Sequence, residues 1–247
     1  MTWRDNWKVI NVIVLVIPDV HLKPWMFQRA SERMKEMKLD RAVCLMDIAD
    51  DWGQELNLNL YGQTYDAAIA FAKEHPDTLW CWGNHDVSYL WDLRESGYSD
   101  AARWTVCEKL QLLQKNLPDD RQLAYLHQID NVLFSHGGLS DEFVRSLIPT
   151  TKYNDIEAVV DKINSLGIRE MWQDESPIWY RPQYKEGRPY KPRKLLQVVG
   201  HTPVERITRD GNLISADVFS TYRTGEPIGT QEFLVIDTVT WEYAGIS

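Results

Sequence analysis

The chain has 247 residues, 44% of them hydrophobic and 26% charged, a globular balance that excludes disordered, collagen-like and coiled-coil organisation. Its 36 acids against 27 bases give a formal charge of −9, which argues against a protein that coats nucleic acid or anionic membrane, since those carry a basic footprint. The length suits one domain, 1–247, able to bury a core without disulfides or a structural metal. Three cysteines, Cys44, Cys81 and Cys107, form no C-x-x-C pair; the first two lie in apolar runs and read as small buried hydrophobes of a reduced, cytoplasmic chain.

The first apolar run, Val9–Ile17, follows Arg4 and Lys8 and superficially resembles a signal peptide. It is too short to span a bilayer, it is rich in β-branched residues, and no small-x-small site follows it, so it predicts a buried strand. Further runs at Arg41–Leu45, Thr78–Trp82, Val132–Ser135, Leu195–Val199, Leu213–Ala216 and Phe233–Ile236 show little strict alternation, as strands covered on both faces do. Between them Phe27–Met37, Thr64–Glu74, Ser99–Leu117 and Asn154–Leu166 read as helices. Val106, Leu110, Leu113 and Leu117 form one apolar stripe, and Gly167 stands where a C-cap is expected. Strand–helix alternation early and strands late predict an α/β sandwich, two sheets with helices outside. The segment Arg181–Lys194 holds six basic residues, one acid and three prolines, and predicts a basic loop that could help to hold an anionic substrate.

The polar residues of interest sit just beyond the apolar runs, where ligand sites of α/β sheets gather. In order they are Asp19-Val20-His21, then Asp47, Asp50 and Asp51, then Gly83-Asn84-His85-Asp86, then His136-Gly137-Gly138, then Gly200-His201. Each motif alone is weak; an acidic cluster or an Asn-His-Asp turn is commonly structural. Five successive strand ends carrying Asp, Asn or His point to one composite site. A carboxylate cluster is costly unless cations neutralise it, and carboxylate, imidazole and carboxamide donors without thiolate suit manganese, iron or zinc. The candidates exceed what one tetrahedral ion needs and fit two divalent ions ~3.5–4 Å apart, as used in phosphoester hydrolysis.

In order and spacing these residues resemble the calcineurin-like metallophosphoesterase superfamily, and within it the phosphoprotein phosphatase branch of bacterial and phage serine/threonine phosphatases and diadenosine tetraphosphatases. That branch runs D-x-H, G-D-x-x-D-R-G, G-N-H-E/D, H-G-G and G-H; here the matching segments span residues 19 to 203, including His136-Gly137-Gly138-Leu139-Ser140 and Gly200-His201-Thr202-Pro203. The resemblance implies a β-sandwich of two mixed sheets flanked by helices. It implies that Asp19 and His21 bind one metal, that Asp47 bridges two, and that Asn84, His136 and His201 complete the second. It further implies that His85, held by Asp50, protonates the leaving group while a metal-bridging hydroxide attacks phosphorus. Two positions depart. Met46 replaces a glycine, so the local turn is expected to differ, and Asp51 replaces an arginine that grips phosphate. Arg181, in a segment resembling W-x-R, is the expected substitute, with Arg223 a second candidate.

The leading expectation is therefore a phosphomonoesterase acting on phosphoprotein side chains, nucleotides or small phosphate esters, with manganese the favoured metal. A dinucleoside polyphosphate hydrolase is the alternative enzyme, and a scaffold that has lost catalysis the non-enzymatic one. A nuclease fits less well, because Pro203 stands where such enzymes carry a second histidine. His75 and His127 are expected to be ordinary helix-end or turn histidines. The 11 tryptophans are expected mainly in the core, with Trp25, Trp52 and Trp91 candidates for a cleft mouth.

Overall fold

The computed structural model describes residues 12–184, 187–191 and 193–247; residues 9–11 of the first predicted strand and positions 185, 186 and 192 of the basic loop lie outside them. In chain order the elements are β1 (Ile13–Ile17), α1 (Trp25–Met37), β2 (Arg41–Cys44), α2 (Leu58–Glu74), β3 (Leu79–Cys81), α3 (Asn84–Trp91), α4 (Arg103–Asn116), β4 (Leu123–Ala124), β5 (Leu126–Ile129), β6 (Val132–Ser135), α5 (Asp141–Leu147), α6 (Ile156–Asn164), α7 (Ile168–Met171), β7 (Leu196–Val199), β8 (Thr208–Asp210), β9 (Leu213–Ser215), β10 (Phe233–Asp237) and β11 (Tyr243–Ile246).

The strands form two mixed sheets, ordered β11-β10-β1-β2-β3-β4 and β5-β6-β7-β9-β8. In the first, β1, β2, β3 and β4 run parallel, with β10 antiparallel to β1. In the second, β6, β7 and β9 run parallel between antiparallel edges. The apolar runs lack alternation because both faces of each central strand are covered. Val14 and Val16 point between the sheets to meet Phe134, Leu196 and Val198, while Leu15 and Ile17 pack against the layer formed with α1, α2 and α4. Across the molecule Leu133 and Leu195 face a third apolar cluster made with α5, α6 and α7.

Helix starts follow side-chain caps. Asn57 accepts from the Leu60 amide ahead of α2, Ser140 from Phe143 ahead of α5, and Asp155 from Ala158 ahead of α6. The predicted stripe of Val106, Leu110, Leu113 and Leu117 is buried. Gly167 differs from expectation: α6 is capped by Ser165, and Gly167, with φ −101°, precedes α7. His75 caps α2, as a helix-end histidine should, but His127 lies within strand β5. No helix among the described residues is long and apolar enough to cross a membrane.

Candidate metal centre and cleft

Six parallel strands deliver polar side chains from the residues that follow their carboxyl ends. Asp19 follows β1, Asp47 follows β2, Asn84 follows β3, His136 follows β6, His201 follows β7 and Asp217 follows β9. All six are buried. The turns that carry them are strained: of the described non-glycine residues with left-handed backbone, half lie here, at His21, Leu22, Met46, Asp47, Asp50 and His201. Met46 thus holds φ +61°, a region glycine enters without steric cost, and keeps its side chain in the core. Two glycines give the carboxylates room. A Cβ on Gly83 would lie 2.0 Å from Asp47 Oδ1, and one on Gly200 2.0 Å from Asp19 Oδ1.

Two groups of donors result, each with atoms within 4.8 Å of one another: Asp19, His21 and Asp47, and Asp47, His136 and His201. Asp47 belongs to both. His21 Nδ1–H donates to the Asp50 carbonyl at 2.9 Å, leaving Nε2 free to coordinate. His136 Nδ1–H donates to the Leu45 carbonyl at 2.9 Å, so its Nε2 faces Asn84 Oδ1 at 3.0 Å, Asp47 Oδ2 at 3.1 Å and His201 Nδ1 at 3.1 Å. A neutral imidazole would there turn a lone pair on two acceptor oxygens; only a proton or a cation between them removes the conflict. Asp19 Oδ1 and His201 Nε2 are buried with no hydrogen-bond partner. The arrangement is that of ligands gathered round two cations, and the residues present fit such a pair.

The electrostatics agree. Burial, Asp217 and Asp47 push the Asp19 carboxyl well above its usual range. Burial also opposes charge on Asp47, but His136, His85 and His21 outweigh it and hold that carboxyl low. Burial likewise works against His136, yet Asp47 and Asp19 raise it to about 9. Burial together with His136 and Arg181 lowers His201.

Beside the donors lies an imidazole–carboxylate pair. His85 Nδ1–H donates to Asp50 Oδ2 at 2.9 Å, and Asp50 Oδ1 accepts from Tyr61 Oη at 2.7 Å and Tyr89 Oη at 2.5 Å. The His85 amide donates to Asp47 Oδ1 at 3.0 Å, fixing the ring next to the shared carboxylate. Burial disfavours the imidazolium, but Asp47, Glu95 and Asp50 hold its pKa well above the ordinary histidine value. Glu95 also accepts from Asn84 Nδ2 at 2.6 Å, which turns the amide oxygen toward His136. Asp86 accepts from the Ile48 amide and Tyr65 Oη and braces the Asp47 turn.

These groups open into a cleft of about 390 Å³. His21, His85 and His201 form its floor, and Asp51, Trp52, Arg181, Thr221, Tyr222 and Arg223 line its walls. Arg181 Nη1 donates to the His201 carbonyl at 2.7 Å and to Thr202 Oγ1 at 3.1 Å. Asp51, at the expected arginine position, pairs with the buried Lys23 at 3.2 Å and accepts from Thr221 Oγ1 at 2.9 Å. Of the described part of the basic loop only Arg181 lines the cleft. Tyr190 Oη instead donates to the Tyr153 carbonyl and Lys191 Nζ to that of Asn154, tying the loop to the segment before α6. Trp52 faces the cleft, whereas Trp25 packs on Phe219 and Trp91 on Trp172.

The structure thus places Asp19, His21, Asp47, Asp50, Asn84, His85, His136, Arg181 and His201 in one region, while Trp25 and Trp91 lie away from the cleft. It adds Glu95, Tyr61, Tyr89 and Lys23, which the sequence reading missed. The tyrosines look like core aromatics in sequence, and Glu95 sits in a loop with no motif, so only three-dimensional proximity reveals them.

A search of curated protein sequences finds no match. Among solved structures, the cold-active protein-tyrosine phosphatase of the psychrophile Shewanella sp. is 19% identical, with 96% of this chain and 80% of that chain covered at a TM-score of 0.56. A 1.1 Å structure of a cold-active protein tyrosine phosphatase is 20% identical, with 95% and 78% covered, at 0.53. An archaeal phosphodiesterase is 13% identical, with 95% and 99% covered, at 0.43. The first two likenesses establish a shared fold. The calcineurin-like phosphoesterase family model matches residues 13–228, which take in strands β1 to β9 and every cleft residue described above. The chain therefore belongs to the calcineurin-like phosphoesterases and is a metal-dependent phosphoester hydrolase.

Proposed function

We propose that the protein hydrolyses phosphomonoesters at a dinuclear centre, with residues 1–247 acting as one domain in the cytoplasm. The carrying observation is that Asp47 is shared by two donor groups while the His85–Asp50 pair borders the same cleft. In this reading Asp19, His21 and Asp47 hold one cation, and Asp47, Asn84, His136 and His201 hold the other. The mixed carboxylate, imidazole and carboxamide set suits manganese, iron or zinc, and manganese is the metal we assign. When bound, such a pair lowers the pKa of water and clamps phosphate oxygens.

The chain's own residues supply the rest. Asp50 accepts the hydrogen bond from His85 Nδ1–H, so the Nε2 proton is the one available to the cleft. Asp47, Glu95 and Asp50 keep that imidazole protonated until a leaving-group oxygen takes the proton. Tyr61 and Tyr89 fix the Asp50 carboxylate and with it the ring. Arg181, anchored through one nitrogen, offers its remaining N–H groups to the phosphoryl oxygens. The substrates that fit are phosphoprotein side chains, nucleotides and small phosphate esters. A dinucleoside polyphosphate is the second reading, favoured by the two arginines that line the cleft.

The test is aryl phosphate turnover by metal-stripped protein titrated with manganese, beside His85→Asn. Manganese-dependent turnover, reduced at least 100-fold in His85→Asn with metal content unchanged, is expected. Full activity in that variant would remove His85 from the mechanism. No turnover with both sites filled would leave the dinucleoside polyphosphates to be tried and, failing those, a scaffold.

A further inference from the structure

The charges in and behind the cleft wall are unequally committed. Lys23 gives its ammonium to Asp51 Oδ2 and the His21 carbonyl, and Asp50 is fully engaged by His85, Tyr61 and Tyr89. Arg223 differs. Its guanidinium carbon lies 4.7 Å from the centre of the Trp52 ring, and among the described residues it has no hydrogen-bond or carboxylate partner. An arginine over an indole face is held in place while its N–H edge stays available to a ligand.

The backbone that carries Arg223 is built rather than loose. Thr221 bridges Pro227, the Tyr222 amide donates to the Glu226 carbonyl at 2.9 Å, and Gly225 makes the turn at φ +84°. At its base the Asp217 carboxylate accepts from Ser220 Oγ at 2.9 Å. Asp51 fastens this hairpin to the Asp47 turn through the 2.9 Å bond from Thr221. The carboxylate at position 51 is thus neutralised by Lys23 and used as a strut, and the structure it supports carries a cation into the cleft.

We infer that Arg223 is a substrate-binding residue, whose guanidinium takes oxygens of the phosphoryl group processed at the adjacent carboxylate–histidine cluster. Asp51 and Thr221 are its positioning residues. Arg181 and Arg223 then approach the phosphate from two separate segments, one tied to His201 and the other to Trp52. A planar fork matches a dianionic phosphoryl group better than the single charge of a diester, so this residue biases the cleft toward monoesters.

This assignment rests on the phosphomonoesterase reading, and its test separates the two. Inorganic phosphate is titrated calorimetrically into manganese-loaded wild-type, Arg223→Ala, Arg223→Lys and Thr221→Val proteins, and each is assayed on an aryl phosphate. Arg223→Ala should weaken phosphate binding and raise KM about 10-fold or more, with unchanged manganese content, because a charge-assisted contact is lost. Arg223→Lys should recover part of the loss, and Thr221→Val should show a smaller loss of the same sign. If wild type turns over but Arg223→Ala stays within twofold of it in both Kd and KM, Arg223 does not bind substrate and the phosphoesterase reading stands. A loss of manganese in Arg223→Ala would equally overturn the assignment. If the loaded wild type neither binds phosphate nor turns over, the phosphomonoesterase reading itself fails, and the assignment with it.

Discussion

Gly83 and Gly200 show how the site is specified by what is missing from a residue. Neither has left-handed backbone, so their use is space: each leaves the volume in which a carboxylate oxygen of Asp47 or Asp19 sits. Gly83→Ala or Gly200→Ala must displace that carboxylate, and manganese affinity measured by calorimetry should fall by about 10-fold or more. Gly62 is the contrast, lying within α2 with nothing near its would-be Cβ. Gly62→Ala should stabilise the fold by ~0.5–1 kcal/mol in urea denaturation and leave metal affinity alone. Glu95 acts at the same scale by fixing which end of the Asn84 amide faces the cluster. Glu95→Leu removes the acceptor and should cost about 10- to 100-fold in manganese affinity, with Glu95→Gln, which keeps a carbonyl, in between. The candidate donors of this region were legible in sequence because each follows an apolar run. Glu95 was not, since a loop glutamate has no pattern until its neighbour is known.

Elements were legible in proportion to how much of them the core covers. The seven apolar runs became central or covered strands because burial on both faces leaves a run of hydrophobes in sequence. Edge strands β8 and β11 are exposed along nearly all their length, so nothing in their residues demanded a strand. Strand β5 was hidden by His127 and Gln128 in a four-residue stretch. His127 nevertheless joins the two sheets, its Nε2–H donating 3.0 Å to the Trp80 carbonyl of β3. Burial lowers its pKa to about 4. The unfolded chain, near 6.5, then binds the extra proton first as pH falls. The stability this group contributes is complete above pH 6.5 and is lost between there and about pH 4, by about 3 kcal/mol. Subtracting the urea stability curve of His127→Gln from that of wild type should isolate this slope; parallel curves over that window would show that the sheets are not joined through a neutral imidazole.

Across the whole molecule, the two sheets place the ends of their parallel strands at one rim, and the rim concentrates negative charge. Asp19, Asp47, Asp86, Asp217 and Glu95 are buried or nearly so in one region, with burial and mutual repulsion raising Asp86 and Glu95 to about 7. Cations that bind this arrangement and not the unfolded chain must stabilise the fold by mass action, about 2.7 kcal/mol per site at 100 times Kd. For a chain of this size that is a rise in Tm of about 5–10 °C per site. Manganese added to stripped protein should therefore raise Tm with the logarithm of its concentration, in differential scanning fluorimetry. Asp47→Asn, which weakens the one ligand common to both donor groups, should remove most of the rise. His21→Ala, which removes a ligand from one group only, should leave about half. Equal loss in the two variants would mean that the cations enter as a single cooperative unit. No loss in Asp47→Asn would mean that the shared carboxylate is not what couples the two sheets' strand ends to metal.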